Sequence, residues 1–419
     1  MKPKKSLEID GRTGEGGGQL VRLSCALAAA TSQPIRITHV RGNRDRGGGL
    51  KAQHVSSVRW LAEATGGEVE GLSVGSRTLE FRSSAPPTAL EERKIQIVAD
   101  SSAASTLLIF QAVFPYLLFA ANENGDPIEL EIQGGTNVSF SLSYEYLDQV
   151  LLPTLQDRFG IKVERELRAR SWAVGPKRMG SIWLKFQPIP RGQTLKHLQP
   201  WDNPLTEKDF TIKQIDVSML VPNALREPLE KALARDLDNL FPDVDINFVL
   251  MEESGHDARM YTLLVAHSET GQRWGRDFLY NRAWKKKTPE TLSAEISREV
   301  CKQLAREIAT RGVVDEYLQD QLVVFQALAE GRTSFHRGDE PADMDAPPTG
   351  AAKGGDQLST SMDGLKLEKR MRKDRMYELF GEGSTHTTTA RWVACELLPT
   401  VQWYNKGSIC DGAGVSFAS

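Results

Sequence analysis

A glycine-rich run near the N terminus, Gly14-Glu15-Gly16-Gly17-Gly18-Gln19, is followed closely by Arg22. Glycines at a strand-to-helix junction let backbone amides approach phosphate oxygens, and the start of a helix adds roughly half a unit of positive charge there. Glu15 is a candidate partner for a metal ion or an ammonium group. Arg22 needs an anion if it is buried. The run therefore indicates a phosphate-handling site, although it matches neither the P-loop nor the dinucleotide-binding pattern.

A second glycine-rich loop follows a short distance along the chain. It carries Arg41, Arg44 and Arg46 and continues through Gly47–Gly49 to Lys51-Ala52-Gln53-His54. Cations in two neighbouring loops predict that both bind the same phosphate groups. The alternative is a pair of solvated basic loops without a ligand.

The elements that position these residues are repeated along the chain. Small or polar residues open a helix, and a strand follows it. The openers are Gly14–Gln19, Asp100–Ser105 and Gly383–Thr388, and the predicted helices Leu20–Ala30 and Leu107–Ala120 lead into the strand-like segments Ile35–Val40 and Ile128–Ile132.

This pattern predicts a layered α/β (α+β) fold in which three repeated units each pair a small sheet with two helices. Residues 188–282 contain strand and helix signals of their own. We therefore expect an inserted α/β domain there, with 1–187 and 283–419 forming the main domain. The segment Thr333–Gly364 is rich in Gly, Pro, Ala, Asp and Ser and cannot bury enough apolar surface to fold, so we predict a disordered loop.

The composition limits the possible functions. The chain has 419 residues, and its 52 Lys and Arg balance 55 Asp and Glu, so any site for a polyanion must be local. The four cysteines are scattered without a C-x-x-C pair, which argues against a disulfide framework and against structural zinc. No apolar run reaches the roughly 20 residues of a membrane span, and the first residues do not form a signal peptide. We expect a soluble intracellular protein without a membrane partner.

Taken in order, the motifs resemble those of the RNA 3'-terminal phosphate cyclase family. The resemblance spans nearly the whole chain and is most specific at the N terminus. Its motifs are Asp10-Gly11-x-x-Gly14-Glu15-Gly16-Gly17-Gly18-Gln19-x-x-Arg22, Arg41-x-x-Arg44, Gln53-His54, Ser102-Ala103-x-Ser105 with Gln111, Gly134-Gly135-Thr136-Asn137, Tyr317-Leu318-x-Asp320-Gln321-Leu322 and Ser384-x-His386.

The resemblance implies both a fold and a reaction. The fold is three tandem copies of a four-stranded sheet backed by two helices, with a smaller inserted α/β domain. In the reaction a histidine takes AMP from ATP, the AMP passes to an RNA 3'-phosphate, and the neighbouring 2'-OH closes a 2',3'-cyclic phosphodiester. The implied partner is RNA with a 3'-phosphate end, and the implied cofactors are ATP and Mg²⁺ or Mn²⁺.

By this resemblance the nucleophile is His386, and Glu15 is the acidic residue near the metal. A histidine among small hydroxyl residues at the start of a helix is exposed to the positive end of the helix dipole, which suits a negatively charged adduct. The alternative is an ordinary surface histidine. His39 and His54 are weaker candidates.

The resemblance also assigns the binding residues. Arg22, Arg41 and Arg44 match the phosphate clamp, and Gln53 matches the substrate-positioning glutamine. Four residues match positions around the adenosine, where an aromatic ring could stack on the base. They are Gln111, Tyr317, Asp320 and Gln321.

Some positions depart from the family pattern. Ala104 stands where the motif has glycine, the stretch that ends in Leu142 replaces one containing proline, and Gly47–Gly49 lengthen the arginine loop. The main alternative function is a non-catalytic cyclase-like factor that binds RNA in ribosome assembly or RNA processing, but His386 and the complete arginine set favour an enzyme. The basic runs and the low-complexity segment suit the nucleus more than the cytoplasm. The sequence makes no prediction about the oligomeric state.

Overall fold

The computed structural model of the chain describes residues 5–44, 47–280, 287–337, 371–377 and 379–418. Within these residues, four β-sheets are connected and covered by α-helices, which confirms the predicted α/β class. None of the described helices combines the length and apolar character needed to cross a membrane. All four cysteines are free thiols.

The first unit is a four-stranded sheet with two helices. Its strand order is β1-β2-β4-β3, in which only β1 and β2 run parallel. Side chains along β2 point alternately to the two faces of the sheet, so Ile35 and Ile37 are buried against the helices. The elements are β1 (Leu7–Asp10), α1 (Gly18–Thr31), β2 (Ile35–Thr38), α2 (Ala52–Ala64), β3 (Glu68–Glu70) and β4 (Leu79–Arg82).

The second unit has the same sheet topology, with the order β5-β6-β8-β7. Ser105 caps its first helix, because the Ser105 side chain accepts hydrogen bonds from the amides of Leu107 and Leu108. The elements are β5 (Lys94–Val98), α3 (Thr106–Leu117), β6 (Ile128–Gly134), α4 (Tyr144–Tyr146), a π-helical turn (Leu147–Leu151), α5 (Leu152–Phe159), β7 (Val163–Ala169) and β8 (Gly180–Phe186).

A third sheet, ordered β10-β9-β11-β12, has a hydrophobic core of its own. Its helices α6 and α7 pack against each other. The inserted domain was predicted to end at residue 282, which lies outside the described residues. The helix α7 begins after that boundary, but its Leu292, Ile296 and Val300 belong to this core. The elements are β9 (Ile212–Val221), α6 (Asn223–Leu240), β10 (Asp245–Glu253), β11 (Met260–Ser268), β12 (Arg273–Tyr280) and α7 (Pro289–Ala309).

The last unit has three strands in the described residues, ordered β13-β15-β14. This order repeats the positions of β2, β4 and β3 in the first unit. Among the described residues, the position that corresponds to β1 of the first unit is taken by an isolated parallel bridge between Lys196 and Glu330. Residue 196 lies within the segment 188–282, which was predicted to be an insertion. The elements are α8 (Glu316–Leu328), β13 (Glu330–Ser334), α9 (Thr385–Leu397), β14 (Gln402–Tyr404) and β15 (Ile409–Ala413).

The prediction that disorder begins at Thr333 is wrong for the first residues of that segment. Thr333 lies in β13 and accepts a hydrogen bond from Gln326 (2.9 Å). Phe335 is buried, and Arg337 forms an ion pair with Glu307 (3.1 Å). Contacts with residues elsewhere in the chain therefore stabilise a segment whose own composition predicts disorder. Residues 338–364 lie outside the described residues.

Four helices meet at the centre of the molecule. α1 packs against α3 and α9, and α8 packs against α9. The first turns of these helices open on the same cleft, which they line with Arg22, Leu108, Tyr317 and His386. The positive ends of four helix dipoles therefore meet at one place, which favours a bound anion.

Candidate active site

The glycine run joins the start of α1 to the start of α9. Gly14 and Gly16 have positive φ angles of 64° and 57°. A side chain on Gly14 would overlap the hydroxyl of Thr389, to which the Glu15 amide donates a hydrogen bond (3.0 Å). A Cβ on Gly18 would lie 2.7 Å from His54 Nε2 and 2.8 Å from Arg22 Nη1. The glycines are thus required for close packing between helices as well as for backbone conformation.

His386 lies at the start of α9 and is held by a short chain of hydrogen bonds. Its Nδ1 is 2.9 Å from Gln19 Oε1, and Gln19 Nε2 donates to Asp320 Oδ2 (2.8 Å). The amide oxygen of Gln19 can only accept, so Nδ1 carries the proton and Nε2 keeps its lone pair. The chain Asp320–Gln19–His386 therefore fixes the tautomer that is suited to nucleophilic attack.

The charge state of His386 favours the same role. Partial burial lowers its pKa below the ordinary value of 6.5. The positive charges of Arg22 and Arg44 act in the same direction, and the carboxylates of Asp320 and Glu316 oppose it. Burial also raises the pKa of Asp320 to about 6, against the influence of His386 and the hydrogen bond from Gln321. At neutral pH the imidazole is consequently uncharged and nucleophilic.

Glu15 and Arg44 close one side of the histidine. The Arg44 guanidinium pairs with one carboxylate oxygen of Glu15, and the other oxygen is 3.8 Å from His386 Nδ1. The Glu15 side chain is only 11% exposed, because it folds back over Gly17, where no larger residue would fit. The structure thus places the predicted acidic residue directly beside the predicted nucleophile.

Arg22 is a half-buried cation, and no carboxylate among the described residues forms an ion pair with it. Its Nε donates a hydrogen bond to Gln111 Oε1 (3.1 Å). Burial lowers the pKa of Arg22 to about 10, partly opposed by Asp320 and strengthened by the positive charge of Arg41. A guanidinium in this position is well suited to an anionic ligand.

Arg41 and Gln53 lie outside the lining of the cleft. The Arg41 backbone is left-handed, with a φ of 54°, and its side chain donates to the carbonyl of Gly49 (3.2 Å). Gln53 is half-buried in the first turn of α2. His54, next to it, is buried, and burial together with the charge of Arg22 lowers its pKa well below 6.5, which suits a packing role.

The cleft itself has a volume of about 450 Å³. It combines residues from all four helix starts with the loop that follows β6 and with β11 and β12 of the smaller sheet. Its polar wall comprises Arg22, Arg44, Gln111, Asn137, Ser139, Ser141, Ser143, Asp277, Tyr317, Asp320, Gln321 and His386, and its apolar wall comprises Leu108, Val138, Phe140, Leu142, Tyr261 and Leu279.

Tyr317 offers only part of its ring to the cleft. The Arg276 guanidinium lies 4.4 Å from the ring centroid, and Tyr146 contacts the ring edge-on at 6.4 Å. The Tyr317 residue is 38% exposed. One face is therefore occupied by a cation–π contact, and stacking on a base is open only to the remaining surface.

The departures at Ala104 and Gly47–Gly49 do not reach the cleft wall. The Ala104 methyl is buried in the main core, and the Ala104 carbonyl accepts a hydrogen bond from Gly135 (2.7 Å). Gly47 and Gly49 have positive φ angles of 88° and 84°. Leu142, in contrast, lies in the cleft wall.

Sequence reasoning missed four residues that help to build the site: Gln19, Phe140, Asp277 and Leu279. Gln19 was noted only as the end of the glycine run, although a polar residue at the start of an otherwise apolar helix is a usable signal. The strand β12, which carries Asp277 and Leu279, was not predicted at all, because charged residues interrupt its apolar alternation.

Comparison with known proteins agrees with this arrangement. A protein-family model described as RNA 3'-terminal phosphate cyclase matches residues 13–343. The chain belongs to the RNA 3'-terminal phosphate cyclase family. Proteins with that name from Thermococcus onnurineus and Pyrococcus furiosus are 32% and 30% identical over 331 residues, each match covering 77% of this chain and 86% of the relative. One from Drosophila melanogaster is 28% identical over 342 residues, covering 81% and 88%.

Membership in the cyclase family confirms the resemblance read from the motifs. The matched range includes both glycine loops and the Tyr317–Leu322 segment of this cyclase-family chain. It ends before α9, so the role of His386 depends on the geometry around it and stays a prediction.

Proposed function

We propose that this chain is an ATP-dependent RNA 3'-terminal phosphate cyclase that works through a histidine–AMP intermediate on His386. One arrangement carries the proposal: a neutral imidazole with a free Nε2 opens on the same cleft as the half-buried Arg22, which has no ion pair among the described residues. The cleft volume of about 450 Å³ lies within the range of small-molecule sites, roughly 300–1,000 Å³.

In the first step the Nε2 lone pair of His386 forms a bond to the α-phosphorus of ATP. The bond from this phosphorus to the bridging oxygen breaks, and pyrophosphate leaves. Asp320, acting through Gln19, stabilises the positive charge that develops on the imidazole. Arg22, and Arg44 once it exchanges Glu15 for phosphate, stabilise the negative charge on the phosphoryl oxygens.

A divalent cation, Mg²⁺ or Mn²⁺, would neutralise the triphosphate and favour departure of pyrophosphate. Glu15 is the residue that would hold it. No group of three or more His, Cys, Asp or Glu side chains in the described part of the chain could bind a metal by itself. Phosphate oxygens and water would therefore complete the coordination, as is usual for Mg²⁺.

The remaining steps use the RNA end. An oxygen of the RNA 3'-phosphate attacks the α-phosphorus of the adduct, and the lone pair returns to His386 Nε2. The 2'-OH oxygen then attacks the 3'-phosphorus, AMP leaves with the bridging oxygen, and the hydroxyl proton passes to solvent. Arg41 and Gln53, beside the cleft, are suited to position the RNA end.

The adenosine would lie along Gln111, Tyr317 and Gln321. Gln111 is fixed by Arg22 (3.1 Å), and Gln321 Nε2 donates to Asp320 Oδ1 (2.8 Å). Both oxygens of Asp320 thus accept hydrogen bonds within the protein, which supports a positioning role for Asp320 toward His386 and Gln321.

The test is formation of the adduct. The full chain, incubated with α-³²P-labelled ATP and Mg²⁺ or Mn²⁺, should acquire an acid-labile label that maps to His386 and is discharged by a 3'-phosphorylated oligonucleotide to give a cyclic end. His386→Ala should abolish the label, while His256→Ala, which removes an exposed histidine, should retain it. Absence of label from a folded wild-type chain would instead favour the non-catalytic RNA-binding alternative.

We also propose a nuclear location, because basic runs flank the low-complexity segment. A fluorescent fusion in a eukaryotic cell checks this proposal, and exclusion from the nucleus would contradict it.

A further inference from the structure

One wall of the cleft comes from the smaller sheet, whose two faces have different partners. Along β12, Trp274, Phe278 and Tyr280 pack into the core of the smaller unit, and Leu279 packs against the main core. Asp277 lies on the same face as Leu279, because side chains two residues apart point to the same side of a strand. Both residues line the cleft. The smaller unit thus presents a carboxylate beside an apolar side chain to the cleft.

The Asp277 carboxylate is anchored by one hydroxyl group. Tyr261, on the neighbouring strand β11, hydrogen-bonds to Asp277, and its hydroxyl is also 2.5 Å from Ser143 Oγ. A phenol has one hydrogen, so Tyr261 donates it to the carboxylate and accepts from Ser143. No cation forms a salt bridge with Asp277 among the residues that the structure describes. The carboxylate therefore retains acceptor capacity toward the cleft.

Asp277 and His386 lie on different elements of the cleft wall, β12 and the start of α9. Different charges act on the two side chains. Those acting on Asp277 come from Arg276, Asp315 and Glu145, and those acting on His386 come from Asp320, Arg22, Arg44 and Glu316.

The loop that faces Asp277 carries apolar and hydroxyl side chains in alternation, with Ser139, Ser141 and Ser143 between or beside the apolar residues. Val138 and Leu142 lie in the loop that faces it, together with Phe140, whose backbone is left-handed (φ 63°) and whose side chain is 99% exposed. A flat, apolar group with an amino substituent fits such surroundings, since the rings stack on apolar surface and the amino group donates to the carboxylate.

We propose that Asp277 selects an adenine base by accepting a hydrogen bond from its exocyclic amino group. This inference rests on the proposed function, in which the α-phosphate lies at His386 and the adenosine lies along Gln111, Tyr317 and Gln321. Guanine has a carbonyl oxygen where adenine has the amino group. That oxygen would face the Asp277 carboxylate, an acceptor against an acceptor, and the mismatch disfavours GTP.

The test is equilibrium binding of ADP and GDP to the full chain, measured by calorimetry in the presence of Mg²⁺. The wild type should bind ADP at least tenfold more tightly than GDP. Asp277→Asn can donate from its amide to the guanine carbonyl, so it should reduce that preference at least tenfold. Tyr261→Phe, which removes only the anchoring hydroxyl, should reduce it less. Asp245→Asn, an exposed carboxylate of the same unit, should leave it unchanged.

The outcomes separate the two proposals. An unchanged ratio of ADP to GDP affinity in folded Asp277→Asn and Tyr261→Phe proteins would overturn the role of Asp277, even if the wild type forms the His386–AMP adduct. Tight ADP binding without any adduct would overturn the catalytic proposal and leave base selection by Asp277 standing. A wild type that binds neither nucleotide would overturn both.

Discussion

His386 Nδ1 and Gln19 Oε1 are 2.9 Å apart, although 367 residues separate them in the chain. This contact ties the glycine-rich loop of the first unit to the helix start of the last one. The loop therefore does more than approach phosphate, because its final residue determines which imidazole nitrogen carries the proton. Gln19 acts through His386 and Asp320 and is a positioning residue.

Replacing Gln19 by Ala should slow adduct formation by roughly 10–100-fold, the usual effect of removing a residue that orients a functional histidine. The imidazole would lose its fixed tautomer, while Arg22 and Arg44 would still bind phosphate. The expected change is therefore in kcat, with KM for ATP little affected. Single-turnover labelling at saturating ATP measures it.

The control for this variant is Gln187→Ala, which removes an exposed glutamine far from α9 in the sequence. A Gln19→Ala protein that adenylylates His386 at the wild-type rate would show that the hydrogen bond has no positioning role.

Arg22→Met should weaken ATP binding at least tenfold and should not lower the free energy of unfolding. The guanidinium is partly desolvated and has no ion pair among the described residues, so a methionine of similar length removes a desolvation cost in the free protein. Calorimetric titration gives the affinity, and urea denaturation gives the stability. Arg235→Met, at a side chain that is 61% exposed, is the matched control. Loss of stability in Arg22→Met without loss of affinity would contradict this account.

The sequence predicts the parts of this fold whose signals are local. Glycine runs, the Ser105 and Ser384 caps and the apolar helices α1 and α3 were all recognisable, since each depends on a few neighbouring residues. The site depends on contacts across the chain, such as Gln19 with His386 and Arg22 with Gln111. Composition and periodicity contain no information about these distances. Only the resemblance to a family predicted that Arg22, Gln111 and His386 belong to one site, and nothing predicted the contact of Gln19 with His386.

The strand β12 shows why the remaining wall of the site was missed. Its Arg276 and Asp277 interrupt the apolar alternation that predicts a strand, because one side chain reaches Glu307 on α7 and the other faces the cleft. A strand with partners on both faces cannot be recognised from hydrophobic periodicity alone.

Asp277→Asn should stabilise the protein, and more so at higher pH. Burial raises the pKa of Asp277 to about 6 from an ordinary value of 3.8, so the folded state binds a proton more tightly than the unfolded state. The wild type therefore loses stability as pH rises from about 4 to 6, by on the order of 3 kcal/mol. Asparagine has no charge to bury and can still accept from Tyr261.

Thermal unfolding at pH 5 and pH 8 checks this prediction. The difference in melting temperature between Asp277→Asn and the wild type should increase from pH 5 to pH 8. Other carboxyl groups titrate in both proteins and cancel in the comparison. A difference that is constant with pH would show that Asp277 has the same pKa in the folded and unfolded states.

Asp315 joins three elements, and its replacement by Ala should destabilise the fold by on the order of 3 kcal/mol. Its carboxylate caps α8 at the Leu318 amide (2.9 Å) and also accepts from the Tyr146 hydroxyl (2.6 Å) and the Gly275 amide (2.8 Å). Alanine would leave all three buried donors without their acceptor. Thr288→Ala, which removes only the cap of α7, should cost about 1 kcal/mol.

Asp315→Asn separates these contributions. The side-chain oxygen of asparagine can still cap α8 and accept from Tyr146. Its NH₂ group would face the backbone N–H of Gly275, and two donors in contact would weaken the link between β12 and α8. Because α8 carries Tyr317 and Asp320, and β12 carries Asp277, the variant should bind ADP more weakly while unfolding with nearly wild-type cooperativity in urea. A variant that loses stability but keeps full ADP affinity would show that Asp315 supports the fold without positioning the cleft.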